Sequence, residues 1–303
     1  MTRLKVDLNG IQLNNPVMTA SGTFGYAGEY KDLVDLNALG AIIVKGLSLY
    51  PSEGNPAPRV VETPSGLLNA VGLENVGIDN FIAQKLPFLK TLSPPVFTNI
   101  YGKSMEEYEQ LARIIDGLEG ISGIEVNISC PNVSAGGAAF GVDAQAAFKV
   151  VEKVRKATEK FVMVKLSPNV TDITEIALAV EQAGADAVSL INTVTGMVID
   201  TKTFKPVLAN RTGGLSGPCI KPIAVRMVWE VARTVNIPVI GIGGIMTARD
   251  AVEFILAGAW AVQVGTAVLA DPDVLMQIIT GLKVFMRKKG ITDLSEIRGA
   301  AFP

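Results

Sequence analysis

Eight short runs of β-branched and other apolar residues recur along this chain, separated by stretches with helical patterning. That alternation constrains the fold more than any other feature. The runs are PVMTA (16–20), AIIVKG (41–46), PVFTNI (95–100), GIEVNIS (123–129), VMVKLS (162–167), AVSLIN (187–192), PVIGIGG (238–244) and AVQVGT (261–266). They are nearly continuously apolar, as strands of a parallel sheet covered on both faces should be. SMEEYEQLARIIDGLE (104–119) and DITEIALAVEQAGA (172–185) carry a helical period between them. Eight strand–helix units close a barrel, so the expected fold is α/β, a (β/α)8 TIM barrel.

The chain of 303 residues fits one such barrel, typically about 250 residues, with insertions. We therefore expect a single domain over 1–303. Before the first strand, LKVDLNGIQL places Asn9-Gly10 between two alternating runs, which predicts a β-hairpin over the barrel's lower end. Two intervals, 47–75 after the second strand and 193–221 after the sixth, are too long for simple crossovers. Both follow a strand's C-terminal end, the face where barrel enzymes keep their active sites.

Composition narrows the function. Apolar residues at 49% supply a sizeable core, and a net charge of −2 offers no basic patch for nucleic acid. The start, MTRLKVDLNG, has no apolar signal core, so a cytoplasmic protein is expected. AVEFILAGAWAVQVGTAVLA (251–270) is almost wholly apolar, yet as a membrane span it would bury Glu253 and Gln263. It reads instead as a core helix ending near Gly258 and then a buried strand. With two cysteines and no histidine, the chain cannot build a disulfide framework, an iron–sulfur cluster or an ordinary zinc site.

Polar residues collect at one end of the apolar strands: Ser21, Lys45-Gly46, Asn99, Asn127, Lys165, Asn192-Thr193, Gly243-Gly244 and Gly265-Thr266. Lysines and asparagines converging on one barrel mouth are costly to desolvate unless a ligand satisfies them. The glycines after the seventh and eighth strands match a barrel phosphate site, with Thr247 as N-cap of the helix that follows. Joined to Lys165 and Asn99, that site suits FMN, with phosphate at those strands and the ring over the barrel axis. No strand-linked G-x-G-x-x-G is present, so no dinucleotide site is expected.

Cys219 reads as a buried, inert thiol. Cys130, in NISCPNVSAGGAAFG (127–141), follows a strand end and precedes a small-residue stretch, Ser134 to Ala139, that suits a lid. A nucleophilic cysteine normally wants a histidine beside it, and there is none. A general base needs only a pKa within reach of neutrality, and a free thiol near about 8.5 qualifies.

These residues closely resemble the dihydroorotate dehydrogenases, flavin enzymes of pyrimidine synthesis. The resemblance covers essentially the whole chain: ASGTFG (20–25), VKG (44–46), EGNPAPR (53–59), NAVGL (69–73), NISCPN (127–132), VKLSPN (164–169), NTVTG (192–196), GGLSGP (213–218), GIGGI (241–245) and VGTA (264–267). A cysteine rather than a serine base, without a membrane segment, resembles the soluble class. ASGTFGYAGEY, NAVGL and GGAAFG resemble its NAD-linked subtype, class 1B. The resemblance implies that Cys130 takes a proton from C5 of dihydroorotate while hydride leaves C6. It implies that Lys45 and Asn69 hold the substrate carboxylate, with Ala70, Val71, Gly72, Leu73, Asn127, Asn192 and Thr193 around the ring. It implies a flavin lined by Ser21, Lys45, Gly46, Asn99, Asn127, Lys165, Ile191, Gly217, Gly243, Gly244, Gly265 and Thr266. It also implies a partner subunit carrying FAD and a [2Fe–2S] cluster, docked on a homodimer of this chain in a heterotetramer. Ser134-Ala135 departs from the basic lid residue of many relatives.

Other readings stay open at this point. One is the same oxidation with fumarate as acceptor and no partner. Another is a different FMN barrel, such as a dihydropyrimidine dehydrogenase module or a tRNA dihydrouridine synthase, the latter disfavoured by the near-neutral charge. The last is a non-catalytic barrel.

Overall fold

The computed structural model describes residues 3–129 and 140–303. The predicted hairpin comes first: β1 (Val6–Leu8) and β2 (Ile11–Leu13) pair antiparallel around Asn9 (φ 45°) and Gly10 (φ 98°). Both turn residues have positive φ, as a two-residue turn matched to strand twist requires, and glycine meets that requirement without a Cβ penalty.

All eight predicted strands are present: β3 (Val17–Thr19), β4 (Ile42–Leu47), β7 (Val96–Ile100), β8 (Gly123–Asn127), β9 (Phe161–Lys165), β10 (Ala187–Leu190), β15 (Val239–Ile242) and β16 (Ala261–Val264). They form one parallel sheet in the order β3-β16-β15-β10-β9-β8-β7-β4. The sheet's two ends meet through a bridge between Met18 and Ala41. Beside it, the Thr19 hydroxyl donates to Ile43 O at 3.1 Å and accepts from Ile43 N–H at 2.8 Å. The sheet is thus nearly closed as a barrel.

Helices start where side chains cap them. Ser104, Asp143 and Asp172 accept from backbone N–H groups in the first turns of the helices Met105–Asp116, Ala144–Ala157 and Ile173–Gln182. Helix Met105–Asp116 buries Tyr108, Leu111, Ala112 and Ile115, an i, i+3, i+4, i+7 stripe laid on the sheet. The hairpin closes the base: Val6, Leu8 and Leu13 cluster with Met18, Phe97, Phe161, Met163 and Ile240 from the barrel interior. The apolar segment 251–270 resolves into the end of helix Ala248–Leu256, the fully buried β16 and the short helix Ala267–Ala270. Among the described residues, no helix is long and apolar enough to cross a membrane.

The two long insertions find each other. From the first come β5 (Val60–Thr63) and β6 (Gly66–Asn69); from the second come β11 (Val194–Met197), β12 (Ile199–Asp200), β13 (Lys205–Pro206) and β14 (Thr212–Ser216). Strands β11, β14, β6 and β5 make one antiparallel sheet, with Gly214 opposite Asn69 and Leu215 opposite Leu68. β12 and β13 form a separate small hairpin. The insertions follow β4 and β10, so their shared sheet belongs to the same end of the barrel as the polar strand termini.

Candidate active site

Inside the barrel, parallel register sets the polar residues side by side. Asn99 on β7 pairs with Glu125 on β8, and Asn127 on β8 pairs with Lys165 on β9. Glu125 is fully buried. Its Oε2 accepts from Asn99 Nδ2 at 2.6 Å, and its Oε1 accepts from Ser189 Oγ at 2.9 Å and Gln263 Nε2 at 2.7 Å. One carboxylate therefore ties β8 to β7, β10 and β16. The sequence reading missed Glu125 and Ser189 and weighed Gln263 only as part of an apolar segment. The signal was there: GIEVNIS carries a charge in mid-strand.

Lys165 is 5% exposed, and among the described residues no carboxylate stands within ion-pairing distance of it. A buried ammonium without an anion is costly, and a ligand that supplies charge or acceptors removes the cost. Around it, Asn127 Oδ1 accepts from Ser129 N–H at 3.2 Å and Asn192 Nδ2 at 3.4 Å. Tyr108 holds this strand end by donating its hydroxyl to Asn127 O at 2.8 Å. Ser21 and Ile191 are buried beside the mouth, and Ile191 N–H donates to Ile242 O at 2.9 Å, joining the ends of β10 and β15.

Gly46 packs against Asn99: a Cβ there would lie 2.9 Å from Asn99 Oδ1. Gly217, Gly243 and Gly244 all have positive φ (99°, 122° and 74°). A side chain on Gly244 would meet Lys221 N at 2.8 Å and Gly217 O at 2.9 Å, so backbone from two loops closes there. Gly265 stands over Ala20, and Thr266 Oγ1 donates to Ser216 Oγ at 2.7 Å. The missing side chains let these loops pack closely at the mouth, Gly243 against Ile191, Ala224 and Ile220 and Gly244 against Lys221 and Gly217. The glycines, the cationic Lys165 and the amide of Asn99 are a donor and acceptor set that fits FMN. Thr247 caps the next helix as expected, and Asp250 completes a reciprocal capping box with it. Lys221 Nζ donates to Asp250 Oδ1 at 2.6 Å on the outer side of these glycines.

The expected substrate loop lies where the two insertions meet. Asn69 Nδ2 donates to Gly214 O at 3.2 Å, and a Cβ on Gly214 would fall 2.0 Å from Thr193 Oγ1. Ala70 to Leu73 run half-exposed from β6, with Gly72 (φ 79°) and Leu73 (φ 57°) turning the chain and Leu73 O accepting from Tyr101 OH at 3.0 Å. Lys45 is half-buried, its N–H donating to Gly25 O at 2.8 Å. It lines a cavity of about 660 Å³ with Tyr26, Glu53, Glu74 and Lys85. Burial pushes the Tyr26 phenol up to about 12, so it stays neutral there.

Two cysteine readings fare differently. Cys130, with the lid 134–139, lies outside the described residues. Cys219 corrects its expectation: it is exposed, because the turn Pro218–Ile220 sends Ile220 into the core and leaves Cys219 outward. Among the described residues no cluster of three or more His, Cys, Asp or Glu could hold a metal.

Fold and site together define an α/β-barrel protein whose buried polar groups and closely packed glycines gather at the C-terminal mouth. The dihydroorotate dehydrogenase family model matches residues 3–286. The chain is similar to the "Dihydroorotate dehydrogenase B (NAD(+)), catalytic subunit" of Geotalea uraniireducens, 60% identical over 297 residues that cover 98% of this chain and 97% of the relative. Proteins of the same name from Geotalea daltonii and Geobacter sulfurreducens are each 59% identical over 98% of this chain and 97% of their own length. The chain belongs to the dihydroorotate dehydrogenase family.

Proposed function

We propose that this chain is a single-domain, cytoplasmic catalytic subunit that oxidises dihydroorotate to orotate in pyrimidine synthesis. One observation in the site carries the reading: Lys165, buried without an anion among the described residues, stands under the same mouth as the glycine cradle. The relatives' printed name supplies the reaction.

FMN, when bound, supplies the acceptor for the hydride that leaves C6. Gly217, Gly243, Gly244, Gly265 and Thr266 hold its phosphate, and Ser21, Lys45, Gly46, Asn99, Asn127 and Ile191 line the ring. Lys165 would hold the flavin ring by its pyrimidine edge and would favour its reduction by its positive charge. Cys130 removes the proton from C5; with no histidine in the chain, its own thiolate is the base. Lys45 and Asn69 hold the substrate carboxylate, and Asn127, Asn192, Thr193 and residues 70–73 fix the ring. The contact of Asn69 with Gly214, which itself abuts Thr193, supports a joint substrate role for the two insertions.

Two cysteines cannot carry a cluster, and the sequence has no dinucleotide fingerprint, so electrons leave through another subunit. We assign that role to a partner holding FAD and a [2Fe–2S] cluster that reduces NAD, assembled on a homodimer of this chain. The words "catalytic subunit" in the relatives' names support a partner. Recovery of this chain from its native cells without such a subunit would count against it.

The test is an anaerobic visible spectrum of the purified chain before and after dihydroorotate. Yellow protein that bleaches supports both FMN and substrate. Yellow protein that stays yellow leaves FMN and removes the substrate. Protein that stays colourless after FMN is supplied removes the reading.

A further inference from the structure

Asn99 has one amide and two environments. Its Nδ2 meets Glu125 Oε2 at 2.6 Å, and its Oδ1 lies on the Gly46 side, where a Cβ would come within 2.9 Å. A carboxylate is an acceptor wherever it is ionised, so the reverse orientation would set two oxygens against each other at hydrogen-bond distance. Glu125 cannot turn away to allow it, because Ser189 and Gln263 hold its other oxygen from two further strands. Among the described residues nothing donates to Asn99 Oδ1.

We propose that Glu125 is a positioning residue that fixes Asn99 with its oxygen facing the mouth, as acceptor for the imide N–H of the flavin. The inference rests on the flavin reading above. Glu125 acts through Asn99 and touches no ligand itself. It also explains a charge in the centre of a barrel strand: a neutral apolar residue would pack there, but would leave the amide free to present its NH₂ to a ring edge that needs an acceptor. Lys165 then serves the ring's carbonyl side as donor, so the mouth reads a pyrimidine edge as one acceptor beside one donor.

The test is the FMN dissociation constant, measured by flavin fluorescence quenching on apo-protein without substrate. Glu125→Leu weakens FMN binding about tenfold, the scale of one hydrogen bond lost and a donor misplaced. In an Asn99→Ala background the same change has no further effect, because the group it positions is gone. Equal weakening in both backgrounds would mean a purely structural role and overturn the proposal. A reciprocal swap decides if Glu125→Leu does not fold. Asn99→Asp alone sets two carboxyls together and weakens FMN, and Asn99→Asp with Glu125→Gln restores a donor–acceptor pair and recovers most of the affinity. No recovery overturns the proposal. Wild-type protein that takes up no FMN overturns the flavin reading instead, and is told apart by that result alone.

Discussion

Gly46 and Asn99 sit on neighbouring strands so close together that a Cβ added to Gly46 would stand 2.9 Å from the Asn99 amide oxygen. The oxygen cannot retreat, because the other end of the amide is bonded to Glu125. Gly46→Ala must therefore shift strand β4 or turn the amide, and either change alters the ring site. The expected outcome is an FMN affinity about tenfold weaker, the size of a mild overpacking. The FMN-free protein should also lose about 1–3 kcal/mol of stability, because the clash is present without the ligand. An unchanged FMN dissociation constant would show that the amide does not face the flavin.

The sheet shared by the two insertions makes a second prediction. Gly214 pairs with Asn69 and would place a Cβ 2.0 Å from Thr193 Oγ1. Gly214→Ala forces Thr193 to turn or the strand to part, so groups assigned to substrate move while the cradle residues stay. KM for dihydroorotate should rise about tenfold, a change of roughly 1.4 kcal/mol in binding, with FMN content unchanged. Loss of FMN with an unaltered KM in the reloaded enzyme would separate this sheet from the substrate.

The sequence disclosed the barrel because each strand is short, apolar and followed by its own helix, a local pattern that needs no knowledge of distant contacts. The hairpin at Asn9-Gly10 and the cap at Thr247 are local in the same way. The pairing of Asn69 with Gly214 spans 145 residues, and nothing local states it. Glu125 escaped for a related reason. Its three donors come from β7, β10 and β16, so its role exists only once the barrel closes. Cys219 misled because a lone cysteine among small residues suits a core, whereas the turn geometry at Pro218 decides which way it faces.

The outer wall of the cradle predicts a pH dependence. Burial pushes the Asp250 carboxyl up, but Lys221, the Met246 N–H and the Thr247 hydroxyl outweigh it and leave it below its ordinary value. Lys221 is held above its ordinary value, chiefly by Asp250. The depressed acid contributes stability that is present above the ordinary carboxylate range, about pH 4, and is lost as pH falls through its folded value. The raised lysine contributes stability that is present below its ordinary value, about 10.4, and is lost as pH rises through its folded value. The pair therefore stabilises across the window between. At pH near 7, Asp250→Asn should cost about 2 kcal/mol in urea unfolding at fixed FMN, with the difference from wild type shrinking below about pH 4. A difference constant down to about pH 3 would mean that Asp250 acts through shape and not through charge.

Cys130 carries the chemistry in the proposed function, and three side chains test it. Cys130→Ala removes the base and leaves every cradle glycine and Lys165 in place, so FMN should bind as in wild type. Reduction of the flavin by dihydroorotate should fall by about 10²- to 10⁴-fold, the range a positioned base contributes. Cys130→Ser should keep a small remainder that grows with pH, because a hydroxyl is a far weaker acid than a thiol near about 8.5 and supplies far less anion at neutrality. Cys219→Ser, which changes an exposed thiol, should leave the reduction rate unchanged and gives the background in which alkylation reports on Cys130 alone. Rapid-mixing measurement of flavin bleaching under anaerobic conditions reads all three. A Cys130→Ala protein that bleaches at the wild-type rate would show that the proton leaves C5 by another route.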